Sequence, residues 1–63
     1  MKFQDIFNRL LEDGWYKVDQ NGSHVQLRHP TKKGRVTLPK HGNKEIPIGT
    51  LKSIAKQSGI KLT

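Results

Sequence analysis

A chain of 63 residues has room for one small domain, here taken as 1–63, and at that length only about 60% of the unfolded surface is buried, so stability is expected to be marginal unless a partner covers part of it. Cysteine is absent, which excludes a disulfide scaffold and any thiolate metal site; no stretch approaches the roughly 20 apolar residues of a membrane span and the first residues lack the apolar core of a signal peptide, so a cytoplasmic location is expected. With 12 Lys and Arg against 5 Asp and Glu the formal net charge is +7, which makes a polyanion the first partner to consider and a membrane surface a weaker one, because the basic residues after Arg28 gather in loops rather than along one helix face.

Phe3, Ile6, Phe7, Leu10 and Leu11 recur at helical spacing among polar residues and predict a first amphipathic helix. Gly14 stops it, and Trp15 falls where a Schellman-type ending returns an apolar residue to the last turn, near Leu10 or Leu11, which makes it a core plug rather than a platform for a base. Two alternating runs follow, at about 15–20 and 23–29, on either side of Asn21-Gly22. That dipeptide is the strongest short hairpin signal because both residues tolerate the positive φ of a type I′ turn. With Asn21 and Gly22 as the loop, Asp19 faces His24, Val18 faces Val25 and Tyr16 faces Leu27. Tyr16, Val18, Val25 and Leu27 then form an apolar face, and Lys17, Asp19, His24, Gln26 and Arg28 a polar one. A three-residue turn with a bulge at Gly22 would scramble that segregation, so the two-residue turn is expected, with His24 pointing away from the core.

Pro30 to Gly34 reads as a turn. Residues 35–38 alternate as a third strand, with Val36 and Leu38 on the apolar face, and Pro39 ends it. A polar loop over 40–45 carries His41. The second helix is expected to begin at Pro47, as its first helical residue, to bury Ile48, Leu51, Ile54 and Ala55, and to close at Gly59, with Ile60 folding back toward Ala55. Only one sheet face is apolar, so both helices must lie on it. The expected class is α+β, in the order α-β-β-β-α around a three-stranded antiparallel sheet.

The residue types narrow the chemistry. Nothing matches a helical His-x-x-x-His or a clustered carboxylate set, so no metal and no cofactor are expected. Ser23 lacks a base beside it, because His24 projects to the other face. The acidic residues lie mostly in the first helix and its flank, which does not suit paired-carboxylate chemistry. What remains is a histidine on an open, basic sheet face. RNA cleavage needs little more: a base for the 2′-hydroxyl proton, an acid for the leaving oxygen, and cations for the charge growing on phosphate. His24 is the candidate catalytic residue. Lys17, Arg28, Lys32, Lys33, Arg35, Lys40 and Lys44 are the candidate RNA contacts, and Asp19, opposite His24, the candidate that orients its ring. His29 reads as a turn-flanking residue and His41 as a loop residue.

Several stretches resemble one family. They are Gly14-Trp15, Gly22-Ser23-His24, His29-Pro30, Val36-Thr37-Leu38-Pro39, His41, Lys44-Glu45-Ile46, Gly49-Thr50-Leu51, Ile54 and Lys56-Gln57-Ser58-Gly59-Ile60. In this order, and across nearly the whole chain, they are similar to the HicA-type (YcfA-like) mRNA interferase toxins. The resemblance implies a double-stranded-RNA-binding-domain-like fold, a ribosome-independent endoribonuclease acting on mRNA, and neutralisation by a HicB-type antitoxin. It carries the family's catalytic histidine onto His24. The chain departs from the pattern at Asp19, where such proteins often have a basic residue. A carboxylate opposite His24 would favour imidazolium and orient the ring, where arginine would contact phosphate. Two other readings use the same residues: a non-catalytic binder of double-stranded RNA, and a protein acting only in a complex with its antitoxin.

Overall fold

In the computed structural model, which describes residues 1–62, the chain runs α1 (Phe3–Glu12), β1 (Tyr16–Asn21), β2 (His24–Arg28), β3 (Val36–Pro39) and α2 (Ile48–Ser58). The strands form one antiparallel sheet in the order β1-β2-β3. This is the α+β arrangement expected from periodicity. No helix among the described residues is long and apolar enough to cross a membrane.

Local signals set the helix ends. The Asp5 carboxylate accepts the Lys2 backbone N–H at 3.0 Å, satisfying a donor at the start of α1 and placing negative charge where the helix dipole favours it. At its other end Gly14 takes φ 104°. Its N–H donates to the Leu11 carbonyl and that of Trp15 to the Leu10 carbonyl, both at 3.0 Å, which is the Schellman pair. Trp15 is thereby folded into the core at 1% exposure. Gly59, at φ 72°, ends α2 and donates to the Ala55 carbonyl.

Two expectations for α2 need correction. Pro47 has an extended ψ of 145° and stands just outside the helix, its carbonyl accepting the Leu51 N–H at 2.9 Å. The buried stripe is Leu51, Ile54 and Ser58, while Ile48 is 60% exposed and Ala55 only partly buried. Ile46 is buried just before the helix begins. Ser58 is accommodated among apolar neighbours because its hydroxyl donates to the Ile54 carbonyl at 2.8 Å.

The core joins Phe3, Ile6 and Leu10 of α1, Leu51 and Ile54 of α2, Val25 and Leu27 of β2, and Val36 and Leu38 of β3, with Trp15, Ile46 and Leu62. β1 buries nothing: Tyr16 and Val18 are 47% and 44% exposed. Those two residues therefore do not extend the apolar face, contrary to the sequence expectation.

The hairpin register differs for a related reason. Asn21 pairs with His24, Gln20 with Val25, Asp19 with Gln26, Lys17 with Leu27 and Tyr16 with Arg28, and an irregularity falls between Lys17 and Asp19. Positive φ occurs at Gly22 and, among the described residues, at no non-glycine residue. The loop is thus Gly22-Ser23 with glycine at its first position, as a type II′ turn requires, and Val18 bulges to absorb the shift. Register is strongly specified only where a face is buried, and β1 has none.

Candidate functional site

β2 is the central strand, with Val25 and Leu27 sealed against the helices and His24, Gln26 and Arg28 on the opposite face. Alternation along a strand dictates that split. His24 is exposed, flanked across the strands by Asn21 and Pro39. Its imidazole makes no hydrogen bond or ion pair among the described residues, so both ring nitrogens are open to an incoming group. Beside it the Lys40 N–H donates to the Ser23 carbonyl at 2.6 Å, pinning the start of the 40–45 loop to the first turn of the hairpin. Next along this outer face, Thr37 Oγ1 donates to Gln26 Oε1 at 2.9 Å. Asp19 lies opposite Gln26 rather than His24, and its carboxylate accepts the Gln20 backbone N–H at 2.8 Å. The direct pairing behind its ring-orienting role is therefore withdrawn, for the same one-residue shift that moved the turn.

The candidate cations are dispersed. Arg28 shares the outer face with His24 but lies four residues along the strand, about 13 Å at 3.3 Å per residue. Lys33 and Arg35 are exposed near that far end, and Lys44 is exposed in the 40–45 loop. Lys17 pairs with Leu27 and so points to the helix side, where its Nζ donates to Gln20 Oε1 at 2.7 Å. Lys40 also reaches that side, its Nζ 5.8 Å from the Phe3 ring centre. Lys32 is committed elsewhere: its Nζ donates to Asp13 Oδ2 at 2.6 Å and to the Ser58 carbonyl at 3.0 Å. Among the described residues no group of three His, Asp or Glu side chains gathers to hold a metal ion.

The family model described as the HicA toxin of bacterial toxin-antitoxin systems matches residues 3–60. The chain belongs to the HicA toxin family. A comparison with curated proteins gives no match. Membership makes this HicA chain a toxin of a toxin–antitoxin system, and implies a cognate antitoxin.

Sequence reasoning missed how the HicA chain uses its second histidine. His29 Nε2–H donates to the Asp13 carbonyl at 2.6 Å, and Nδ1 accepts the backbone N–H groups of Thr31 and Lys32, each at 3.1 Å. These partners set the tautomer, with the proton on Nε2. The ring meets Trp15 edge-on, with centroids 5.2 Å apart. A Cβ on Gly14 would come within 2.8 Å of Nε2. His29 therefore builds the 30–34 turn and ties it to the end of α1. The hydrogen bond from Lys32 Nζ, helped by its charge, holds the Asp13 carboxyl below its ordinary value against an opposing push from desolvation. No local pattern announces the bonds that tie this turn to the two helices, since they span 16, 19 and 26 residues.

Proposed function

We propose that this toxin is a metal-independent endoribonuclease that cleaves mRNA, that His24 carries the proton transfer, and that a HicB-type antitoxin restrains it. The observation that supports the reading is His24 itself: an exposed imidazole with no protein partner, on the solvent face of the central strand of a domain of charge +7. A histidine placed there for packing would be covered, as His29 is. One left open can meet a ligand's proton, and histidine as a residue type exchanges protons near neutrality.

In the reaction the RNA supplies its own nucleophile. The 2′-hydroxyl oxygen bonds to phosphorus as the bond to the 5′-oxygen breaks. The 2′-proton passes to the imidazole, the leaving oxygen takes a proton from water, and the imidazolium returns its proton to solvent, giving a 2′,3′-cyclic phosphate and a 5′-hydroxyl. Negative charge grows on the phosphoryl oxygens, and nearby cations lower its energy. Lys44, exposed in the loop pinned beside His24, is the cation of that end, while the Lys40 side chain turns to the helix side. Arg28, Lys33 and Arg35 serve more distant phosphates. Lys32 contributes mainly to the turn that presents Lys33.

Purified protein should cut long single-stranded RNA into fragments with 5′-hydroxyl ends, equally with and without EDTA, and His24→Ala should not. Intact RNA after incubation with the folded wild-type protein would overturn the nuclease reading, and loss of cutting in EDTA would overturn metal independence. The HicB-type antitoxin binds only the folded state in this reading, so it should raise the melting temperature of the toxin and suppress cutting. An antitoxin that does neither would sink the partner assignment.

A further inference from the structure

Behind His24, on the helix side of the sheet, the hairpin overhangs α1 and leaves a cleft of about 210 Å³, lined chiefly by Phe3, Phe7, Lys17, Gln20, Val25 and Lys40. Phe7 is half-buried and stacks on Phe3, with ring centres 5.6 Å apart and planes 13° from parallel. Lys17 is held at the rim by a relay, its Nζ donating to Gln20 Oε1 while Gln20 Nε2 donates to the Gly22 carbonyl at 3.2 Å. Lys40 stands over the Phe3 ring. Neither ammonium has a carboxylate partner among the described residues, so two uncompensated positive charges flank an aromatic pair.

That combination fits one ligand chemistry. Aromatic rings accept a base by stacking and lysines accept its phosphates, which together form the usual platform for single-stranded nucleic acid. The bases of an intact duplex stay stacked and out of reach. The volume lies below the roughly 300 Å³ at which sites for drug-sized molecules begin, which is the scale of a single base.

The cleft and His24 lie on opposite faces of the same end of the sheet. Val25 follows His24, and Lys40 follows Pro39, the cross-strand partner of His24. Alternation puts His24 and Pro39 on one face and Val25 and Lys40 on the other. An RNA strand passing around the hairpin end of the sheet would join the two. We propose that this cleft is a nucleotide subsite, taking one unpaired base of single-stranded RNA against Phe7 and its flanking phosphates on Lys17 and Lys40. It rests on the ribonuclease reading, because the same strand presents its scissile phosphate to His24.

The test is binding of a short 2′-O-methyl RNA, which cannot be cut because the attacking hydroxyl is blocked, followed by fluorescence anisotropy over a salt series. Replacing both lysines, Lys17→Met with Lys40→Met, should make the slope of log affinity against log salt shallower by about 1.4, at about 0.7 for each single-strand phosphate contact. Phe7→Leu keeps apolar bulk and should weaken binding about five- to a hundredfold through lost stacking. Circular dichroism controls for folding. If Phe7→Leu unfolds the domain, the lysine pair decides, since both side chains are exposed. Wild-type binding with an unchanged slope in the lysine variant would overturn the subsite and leave the nuclease reading standing. Wild-type protein that neither binds this RNA nor cuts natural RNA would overturn both. A lysine variant that loses only antitoxin affinity would assign the cleft to a protein partner instead, and the subsite would fall.

Discussion

β2 begins on one histidine and is followed by another, and the two have opposite surroundings. His29, just beyond the strand, has both ring nitrogens bonded to backbone, an edge-on contact with Trp15, and its side chain only 9% exposed. His24, at the strand's first residue, is exposed and unbonded among the described residues. The same side chain is thus a structural bracket at one end of the strand and, in the proposed reaction, the group that carries the proton at the other. Partners decide between these roles: a ring whose nitrogens are already satisfied has nothing left to offer a substrate, and an unsatisfied one contributes little to the fold.

The largest effect expected from this contrast is on rate. His24→Ala should reduce RNA cleavage by about 10²- to 10⁴-fold, the usual range for removing a general acid or base, at an unchanged melting temperature. A well-folded His24→Ala protein that cuts RNA at the wild-type rate would break the contrast. His29→Ala should do the reverse. It strands the Asp13 carbonyl and two backbone N–H groups, at a cost of about 2–4 kcal/mol, and the melting temperature should fall by roughly 10–25 °C. Cleavage per folded molecule should persist. An unperturbed melting temperature in that variant would show that the bracket carries no stability.

Glycines sharpen the same comparison. Gly14 and Gly22 both have positive φ, but a Cβ at Gly14 meets His29 at 2.8 Å and one at Gly22 meets nothing within 4 Å. Backbone strain alone costs about 1–2 kcal/mol for an L-residue in this region. Gly14→Ala should exceed that figure and Gly22→Ala should match it, as chemical denaturation would reveal. Equal losses would mean that the ring simply moves aside.

The smallest effect concerns acid. The Asp13 carboxyl is held below its ordinary value, first by the hydrogen bond from Lys32. A carboxyl whose folded pKa is depressed adds stability above its unfolded pKa of about 3.9, and loses it as pH falls through the lower folded value. Melting curves of wild type and Asp13→Asn should therefore differ at pH 6 and converge below about pH 4. A gap that stays constant over that range would remove Asp13 from the acid response.

These outcomes also mark what the sequence could disclose. The C-terminal ends of both helices were legible because Gly14-Trp15 and Gly59 act within a few residues of the backbone they cap, whereas Pro47 does not open α2 as its first helical residue. The outward aim of His24 was legible as well, since it follows from its neighbours Val25 and Leu27, whose burial leaves one choice of face. The pairing of β1 was not, because an exposed strand gives hydrophobic pattern nothing to select. Asn21-Gly22 admits two turns, and only backbone geometry separates them. The employment of His29 and Lys32 was hidden for another reason. Their partners Asp13 and Ser58 are distant in the chain, and a lysine in a turn looks the same whether it faces phosphate or a helix end. The cleft was hidden too, because Phe7 satisfied the helical stripe and was assigned to the core with it.

The margins of the sheet bear on how the protein behaves in a crowd. An edge strand with an unbroken row of amides is a template for another molecule's strand, and small sheets polymerise through such edges. On β3 the Thr37 N–H is occupied by Gln57 Oε1 at 3.2 Å, and Pro39, two residues on, has no N–H to give. On β1 the bulge at Val18 breaks the row midway. Neither margin offers a full ladder, so strand-to-strand growth is blocked on both sides. Rising concentration, as when toxin accumulates faster than the protein that restrains it, should then leave separate folded molecules rather than fibres.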